Sequence, residues 1–136
     1  MKKKKVNCEP INCYVYLATD GDMRTAYAKE NKQLNYIKEY AKAHNIVIKK
    51  LLRRSVLGQY EANKQFNMML GSIINKKVDG ILVVNGCAVA ADIIDMYMKV
   101  GMVEAAGGRF ITVDAGELTL GKKAMEVWYN ERVEKR

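Results

Sequence analysis

Apolar residues along this chain fall into two alternating patterns. Continuous apolar runs at residues 14–18, 81–84 and 110–113, with a run rich in β-branched residues at 46–52, predict four strands. Helical spacing covers residues 26–44, 66–74 and 89–100, and it is clearest from Phe66 to Ile74, where apolar residues recur every three or four positions. Gly80 and the pair Gly107-Gly108 separate the last two strands from the helices before them.

The alternation of strands and helices predicts the fold class. Continuous apolar strands indicate a sheet covered on both faces, and alternating helices indicate parallel pairing through right-handed crossovers. We therefore expect an α/β three-layer sandwich with a mostly parallel sheet of four to five strands. A chain of 136 residues suits a single core. We divide it into a basic disordered tail (1–11), one α/β domain (12–120) and a C-terminal helix (121–136).

The chain is basic, with a formal net charge of +8, half of which comes from Lys2–Lys5. One interpretation is that the basic surface binds polyanions, a process that counterion release favours. The other is that the charges only keep the surface and a lysine tail solvated, which needs no partner. Both interpretations stay open. From Lys49 to Arg54 a strand would carry charge on both faces, which predicts an edge strand. The candidate DNA-binding residues are Lys49, Lys50, Arg53, Arg54, Lys122 and Lys123.

The cysteines, the apolar runs and the loop motifs argue against a metal-binding protein, a membrane protein and a typical nucleotide-binding protein. Cys8, Cys13 and Cys87 lack paired metal spacing, so we expect reduced cysteines, no metal, no cofactor and a cytoplasmic protein. No apolar stretch is long enough for a membrane span, and we expect no membrane partner. The predicted strand ends carry neither Gly-x-Gly-x-x-Gly nor a Walker-type lysine, although a small-molecule or nucleotide-binding α/β domain stays open as an alternative.

Several segments between residues 12 and 120 follow one another in the order of a known family. The first strand reads Tyr14-Val-Tyr-Leu-Ala-Thr19, a glutamine follows at the start of the first helix as Gln33, and Gly58 precedes Phe66 by eight residues. The apolar strands 78–84 and 107–113 complete the series. Together these segments resemble the catalytic domain of serine recombinases (the resolvase/invertase family). That resemblance implies DNA cleavage through a phosphoserine link and strand exchange in a tetramer.

The same comparison shows which catalytic groups are missing. The family's first strand reads roughly Tyr-x-Arg-x-Ser-Thr, and this chain has Tyr16 in place of the arginine and Ala18 in place of the nucleophilic serine. The family's other catalytic positions are also occupied by uncharged residues, which are Asn63, Cys87, Ala88 and Ala91. Phosphoryl transfer needs a nucleophile and positive charge around the phosphate. We therefore predict a catalytically inactive domain; an active recombinase whose nucleophile is misassigned is the alternative. Thr19 and Ser55 carry hydroxyls near strand ends, but we do not predict either as the nucleophile, because an alcohol without an arginine cluster around it is a poor one.

Residues 121–136 form a second candidate for function. On a helix, one side would carry four residues, which are Met125, Trp128, Tyr129 and Arg132. Large aromatic residues are enriched at the centres of interfaces, which favours self-association, but the same residues could instead fold back onto their own domain. The expected partners are a second copy of the chain, an intact recombinase, or DNA.

Overall fold

The computed structural model describes residues 9–18, 23–54 and 59–120. Strands and helices alternate through this part of the chain, as the apolar pattern predicts. In chain order the elements are β1 (Ile11–Leu17), α1 (Met23–Ala43), β2 (Ile46–Arg53), α2 (Gln59–Ile74), β3 (Gly80–Val83), a short 3-10 turn (Gly86–Ala88), α3 (Ile93–Ala105), β4 (Arg109–Thr112) and β5 (Gly116–Leu118).

The five strands form one sheet in the order β2-β1-β3-β4-β5. The first four are parallel, and only β5 runs antiparallel to its neighbour β4. The predicted α/β class with a mostly parallel sheet is therefore confirmed. The basic strand β2 lies at the edge, as its charges predict.

Helices cover both faces of the sheet. On β1, Val15 and Leu17 pack with Ile37 of α1 in one apolar cluster. Tyr16, between them in sequence, faces the other way and belongs to a second cluster with Phe66 of α2 and Val100 of α3. Side chains of successive strand residues point to opposite faces, so these two clusters are two apolar layers on either side of one sheet. The arrangement is the predicted three-layer sandwich.

The helices begin at positions that differ from the sequence prediction. The second helix starts at Gln59 rather than near Phe66. The apolar pattern missed its first turns because residues 59–65 are mostly polar. The third helix starts at Ile93 rather than at Val89. The physical reason is a helix cap, since the carboxylate of Asp92 accepts the backbone N–H of Asp95 at 2.8 Å.

A β-bulge modifies the predicted alternation along β2. Cys13 of β1 pairs with Ile48, but the next residue, Tyr14, pairs with Lys50, so Lys49 is the extra residue. Beyond the bulge, Leu52 packs in the cluster that contains Tyr16, whereas Arg53 faces α1. Leu52 and Arg53 therefore lie on opposite faces of the sheet.

Candidate functional site at the carboxyl edge of the sheet

In parallel α/β sheets, ligands bind beyond the carboxyl ends of the strands. Here that edge includes Ala18 after β1, the end of β2, and the segment from Val84 to Ala91 after β3. It is also where the sequence resemblance puts the reacting groups of a serine recombinase. The local geometry at each strand end therefore decides what chemistry this edge can support.

Ala18 lies directly after β1 and is held there by Gln33 of α1. The Gln33 side-chain carbonyl accepts the Ala18 N–H at 3.3 Å, and its amide donates to the Ala18 carbonyl at 3.1 Å. The Ala18 side chain is buried, with 9% exposure, in the cluster that includes Phe66. The position predicted for the nucleophile thus presents a packed methyl group. The sequence resemblance includes Gln33, but its contact with Ala18 is a finding of the structure.

Tyr16, which the sequence resemblance aligns with a family arginine, is fully buried. Its hydroxyl donates to the Gln65 side-chain carbonyl at 2.6 Å, and the Gln65 amide donates to the Arg53 carbonyl at 3.4 Å. Burial raises the pKa of the Tyr16 phenol from 10.0 to about 12; nearby Arg54 lowers this pKa, and Glu30 adds to the rise. A phenol with this pKa is neutral near pH 7, so Tyr16 acts there as a hydrogen-bond donor.

Lys99 of α3 is a buried basic residue that the sequence analysis did not single out. Its Nζ donates three hydrogen bonds, to the Asn63 side chain at 2.7 Å, the Val89 carbonyl at 2.6 Å and the Asp95 carboxylate at 2.8 Å. An ammonium group has three N–H donors, so these three bonds occupy all of them. The group also lies 5.5 Å from the centre of the Phe66 ring.

The loop after β3 is held together by the same carboxylate. Asp95 accepts the backbone N–H of Ala91 at 2.8 Å as well as the Lys99 ammonium. Ala88 is buried and Ala91 is exposed. Because both are alanines, neither brings a charged side chain to the edge. The backbone of Cys87 lies in the 3-10 turn, and its side chain lies outside the described part of the chain.

The two arginines at the end of β2 contact the protein itself. The Arg53 guanidinium lies 3.5 Å from the buried Glu30 carboxylate, donates to the Asn31 side chain at 2.7 Å, and stacks 4.5 Å from the Tyr27 ring centre. The backbone N–H of Arg54 donates to the Leu17 carbonyl at 2.8 Å and so ties the ends of β1 and β2 together. Lys49 and Lys50 are exposed on the same strand.

The structure therefore brings some predicted site residues together and leaves others undescribed. Tyr16, Ala18 and Ala88 share one apolar cluster, and Asn63 contacts Lys99 beside them. The residues that lie outside the described part of the chain are Thr19, Ser55, Gly58, Lys122, Lys123, Met125, Trp128, Tyr129 and Arg132. Among the described residues, no group of three His, Cys, Asp or Glu side chains is placed to hold a metal ion. No helix in the same part of the chain is both long and apolar enough to cross a membrane.

Comparison with known proteins agrees with the geometry of the fold. No protein-family model matches the chain, and no curated protein sequence matches it. Among solved structures, the chain is similar to a resolvase family site-specific recombinase from Streptococcus pneumoniae, with 19% identity and a TM-score of 0.70 over 92% of this chain and 88% of the other.

Two further solved structures give the same result. The N-terminal catalytic domain of TP901-1 integrase has 13% identity and a TM-score of 0.65 over 92% of this chain and 96% of that one. The C-terminal catalytic domain of ISC1926 TnpA, an IS607-like serine recombinase, has 13% identity and a TM-score of 0.63, with 92% and 80% of the two chains covered. The predicted resemblance is thus confirmed at the level of structure: the chain has the fold of the serine recombinase catalytic domain.

Proposed function

We propose that this chain is a cytoplasmic member of the serine recombinase family that has lost the DNA-cleavage chemistry and acts in DNA recombination by association. Its partner would be a second copy, an intact recombinase, or DNA. The observation that carries the proposal is the environment of Ala18. Gln33 forms hydrogen bonds with both the backbone N–H and the carbonyl of Ala18 and so fixes the end of β1. The side chain of Ala18 at this position is a buried methyl group.

The charges near Ala18 support the same proposal. In a serine recombinase the serine oxygen attacks phosphorus and displaces a deoxyribose oxygen, a reaction that requires cations around the phosphate. In this chain the Lys99 ammonium donates all three N–H groups to protein oxygens, one of them on the Asp95 carboxylate. The Arg53 guanidinium faces the Glu30 carboxylate and Asn31. Lys99 therefore has no N–H group left for a phosphate, and part of the Arg53 guanidinium is engaged by α1.

A covalent-adduct experiment tests the loss of chemistry. The full chain is incubated with supercoiled DNA that carries recombination sites, and denaturing electrophoresis then detects protein bound covalently to DNA. An intact serine recombinase on its own site is the positive control. We expect no adduct from this chain, and none from the Ala18→Ser variant, because Tyr16, Asn63, Ala88 and Ala91 would still lack positive charge.

An adduct formed by the native chain would contradict the proposal, and mapping its attachment point would identify the nucleophile. Association is tested separately, by light scattering of the chain alone and mixed with an intact recombinase. A chain that remains monomeric in both samples and also binds no DNA would exclude the proposed mode of action, whatever the result of the adduct experiment.

A further inference from the structure

One face of the molecule carries most of its basic residues. Residues 23–54, which include α1 and β2, contain nine Lys and Arg residues and two acidic residues, whereas residues 59–120 contain five and seven. Helix α1 covers one face of the sheet, and α2 and α3 cover the other. Of the two acidic residues, Glu30 is fully buried and only Glu39 is exposed. The outer side of α1 therefore attracts polyanions more strongly than the opposite face of the molecule does.

Basic and aromatic residues form a continuous line along the outer side of α1. Residues three or four positions apart are neighbours on a helix surface. This spacing connects five residues, which we call the α1 stripe: Lys29, Lys32, Tyr36, Tyr40 and, just after the helix, His44. Both lysines are exposed, and Tyr36 is 61% exposed. At about 1.5 Å per residue, the stripe is roughly 22 Å long, with the cations at one end and the rings at the other.

The last ring of the stripe is held in a fixed orientation. Tyr40 packs against the apolar cluster that contains Ile37, and the His44 ring stacks on Tyr40 with 3.9 Å between the ring centroids and 18° between the planes. The His44 Nδ1 lies 3.0 Å from the Tyr40 carbonyl oxygen, which can only accept, so Nδ1 is the donor. Because His44 is exposed, the face of its ring that points away from Tyr40 is available to a planar ligand.

This combination of groups fits an unpaired nucleic-acid strand better than a duplex. Cations that follow a backbone, together with aromatic rings on which bases stack, are the elements by which proteins bind single strands. A duplex keeps the faces of its bases inside the stack, so it could use Lys29 and Lys32 but not the rings of Tyr36 and His44. The two rings lie roughly 12 Å apart along the helix, which allows a strand of a few nucleotides to contact both.

We propose that the α1 stripe binds single-stranded DNA, with phosphates at Lys29 and Lys32 and bases stacked on Tyr36 and His44. The proposal rests on DNA as a partner in the proposed function and assigns a surface to it. That surface lies on the outer side of α1, away from Ala18. Binding there requires neither cleavage nor a recombination site, so it can be tested on DNA that lacks such sites.

The stacking part of the proposal is tested by fluorescence anisotropy of labelled oligo(dT). The full chain is titrated against this strand and against the duplex of the same strand with oligo(dA). The test variant is Tyr36→Leu. The matched control is Tyr60→Leu on α2, where the tyrosine is 73% exposed and its ring centre lies 5.5 Å from the Lys64 ammonium. Both tyrosines are at the surface, so circular dichroism should report the native fold in both variants.

We expect the native chain to bind oligo(dT) more tightly than the duplex. Tyr36→Leu should weaken the binding of oligo(dT) by at least about fivefold, which is the low end of the loss for one stacked base. Tyr60→Leu should leave the binding unchanged. Equal affinities of the two variants would overturn the proposal, and so would a native chain that binds the duplex as tightly as the single strand.

The lysines are tested through the salt dependence of the same binding reaction. Lys29→Gln/Lys32→Gln should lower the slope of log K against log salt concentration by about 1.4, which is about 0.7 for each phosphate of a single strand. The control is Lys76→Gln/Lys77→Gln, which removes the same charge from exposed positions after α2 and should keep the native slope. Equal slopes of the two lysine variants, or a native chain that does not bind oligo(dT), would overturn the proposal. Neither result would alter the outcome of the adduct experiment or of light scattering with an intact recombinase.

Discussion

Lys99 is a buried charged residue whose contacts contribute to the fold. Its ammonium group is buried among Phe66, Asn63 and the loop after β3, and it forms an ion pair with Asp95, the i−4 residue of the same helix. Removing one partner of a buried ion pair leaves an uncompensated charge, which costs more than losing the attraction alone. Lys99 therefore connects α2, the β3 loop and α3 at the edge where a recombinase would bind a phosphate.

Replacing Lys99 by methionine should destabilise the fold. We expect the free energy of unfolding to fall by about 3 kcal/mol, the lower end of the range for a broken buried pair, because the Asp95 carboxylate retains some contact with water. Equilibrium unfolding in urea measures the effect. The control is Lys64→Met, since Lys64 and Glu61 form an exposed pair, and its effect should remain within about 0.5 kcal/mol. Equal effects of the two substitutions would contradict the role assigned to Lys99.

Ionisation of Tyr16 should lower the stability of the fold at alkaline pH. The pKa of its phenol is raised from 10.0 to about 12, chiefly by burial, so the folded state disfavours the phenolate. The stability that the neutral phenol contributes is complete below pH 10 and is lost as the pH rises from 10 to 12. Cys13, with a pKa raised from 9.0 to about 12 chiefly by burial, acts in the same direction over a wider range.

The Tyr16→Phe variant tests this pH dependence. At neutral pH it should lose about 1 kcal/mol with the hydrogen bond to Gln65. Between pH 10 and 12 its free energy of unfolding should fall less steeply than that of the native chain, because Cys13 alone retains its contribution. Unfolding in denaturant at a series of pH values measures both effects. Tyr36→Phe, at a phenol that is 61% exposed, is the control; curves for Tyr16→Phe and the native chain that stay parallel above pH 10 would disprove the assignment.

At the scale of elements, close packing decides which glycines the fold requires. Gly80 starts β3 beside β4, and a Cβ atom there would overlap the backbone carbonyl oxygen of Arg109. Gly71 lies inside α2 with nothing within 4 Å of its Cβ position. The first glycine permits the close approach of two paired strands, whereas the second only adds conformational freedom to a helix.

The two glycines should therefore respond in opposite directions to the same substitution. Gly71→Ala should stabilise the fold by about 0.5–1 kcal/mol, since alanine has the higher helix propensity. Gly80→Ala should destabilise it by more than about 2 kcal/mol, because the methyl group forces two central strands apart. Thermal unfolding of each variant checks the signs. A Gly80→Ala variant as stable as the native chain would show that the β3–β4 contact adapts more easily than its geometry indicates.

At the scale of the whole molecule, the basic charge is arranged partly along the edge strand β2. Lys49 and Lys50 are exposed there, whereas Arg53 is held by Glu30 and Asn31. Exposed lysines on an edge strand hinder pairing with other chains, and they can also bind phosphates. The fold alone accommodates both roles, so measurement of binding must separate them.

Salt dependence distinguishes the two roles of the β2 lysines. If DNA binds along β2, the Lys49→Gln/Lys50→Gln variant should reduce the slope of log K against log salt concentration by about two, one for each phosphate that a lysine no longer neutralises. The control is Lys38→Gln/Lys42→Gln, which removes the same charge from exposed positions on α1. Equal slopes for the two variants would show that the lysines of β2 bind no phosphate and protect the edge only.

The amino-acid sequence alone determined the order of the first four strands and of the three helices, the three-layer class and the edge position of β2, but it did not indicate the antiparallel strand β5. These features depend on the local spacing of apolar and charged residues, which a linear pattern records directly. The sequence also predicted, through its resemblance to the family, that Ala18 takes the place of the nucleophilic serine. The start of α2 was predicted poorly, because the residues there are mostly polar and lack a helical apolar spacing.

Only the tertiary structure decided which residues meet at the carboxyl edge of the sheet. Asp95 and Lys99 have the spacing of a helical ion pair, but nothing in that spacing shows that the lysine is buried or that Asn63, 36 residues earlier, completes the site. The same holds for Tyr16 and Gln65, which are 49 residues apart. Sequence periodicity reports the environment within one element, whereas contacts between distant residues depend on how whole elements pack. That packing formed two groups of hydrogen bonds at this edge of the sheet, one around Lys99 and one from Tyr16 through Gln65 to Arg53.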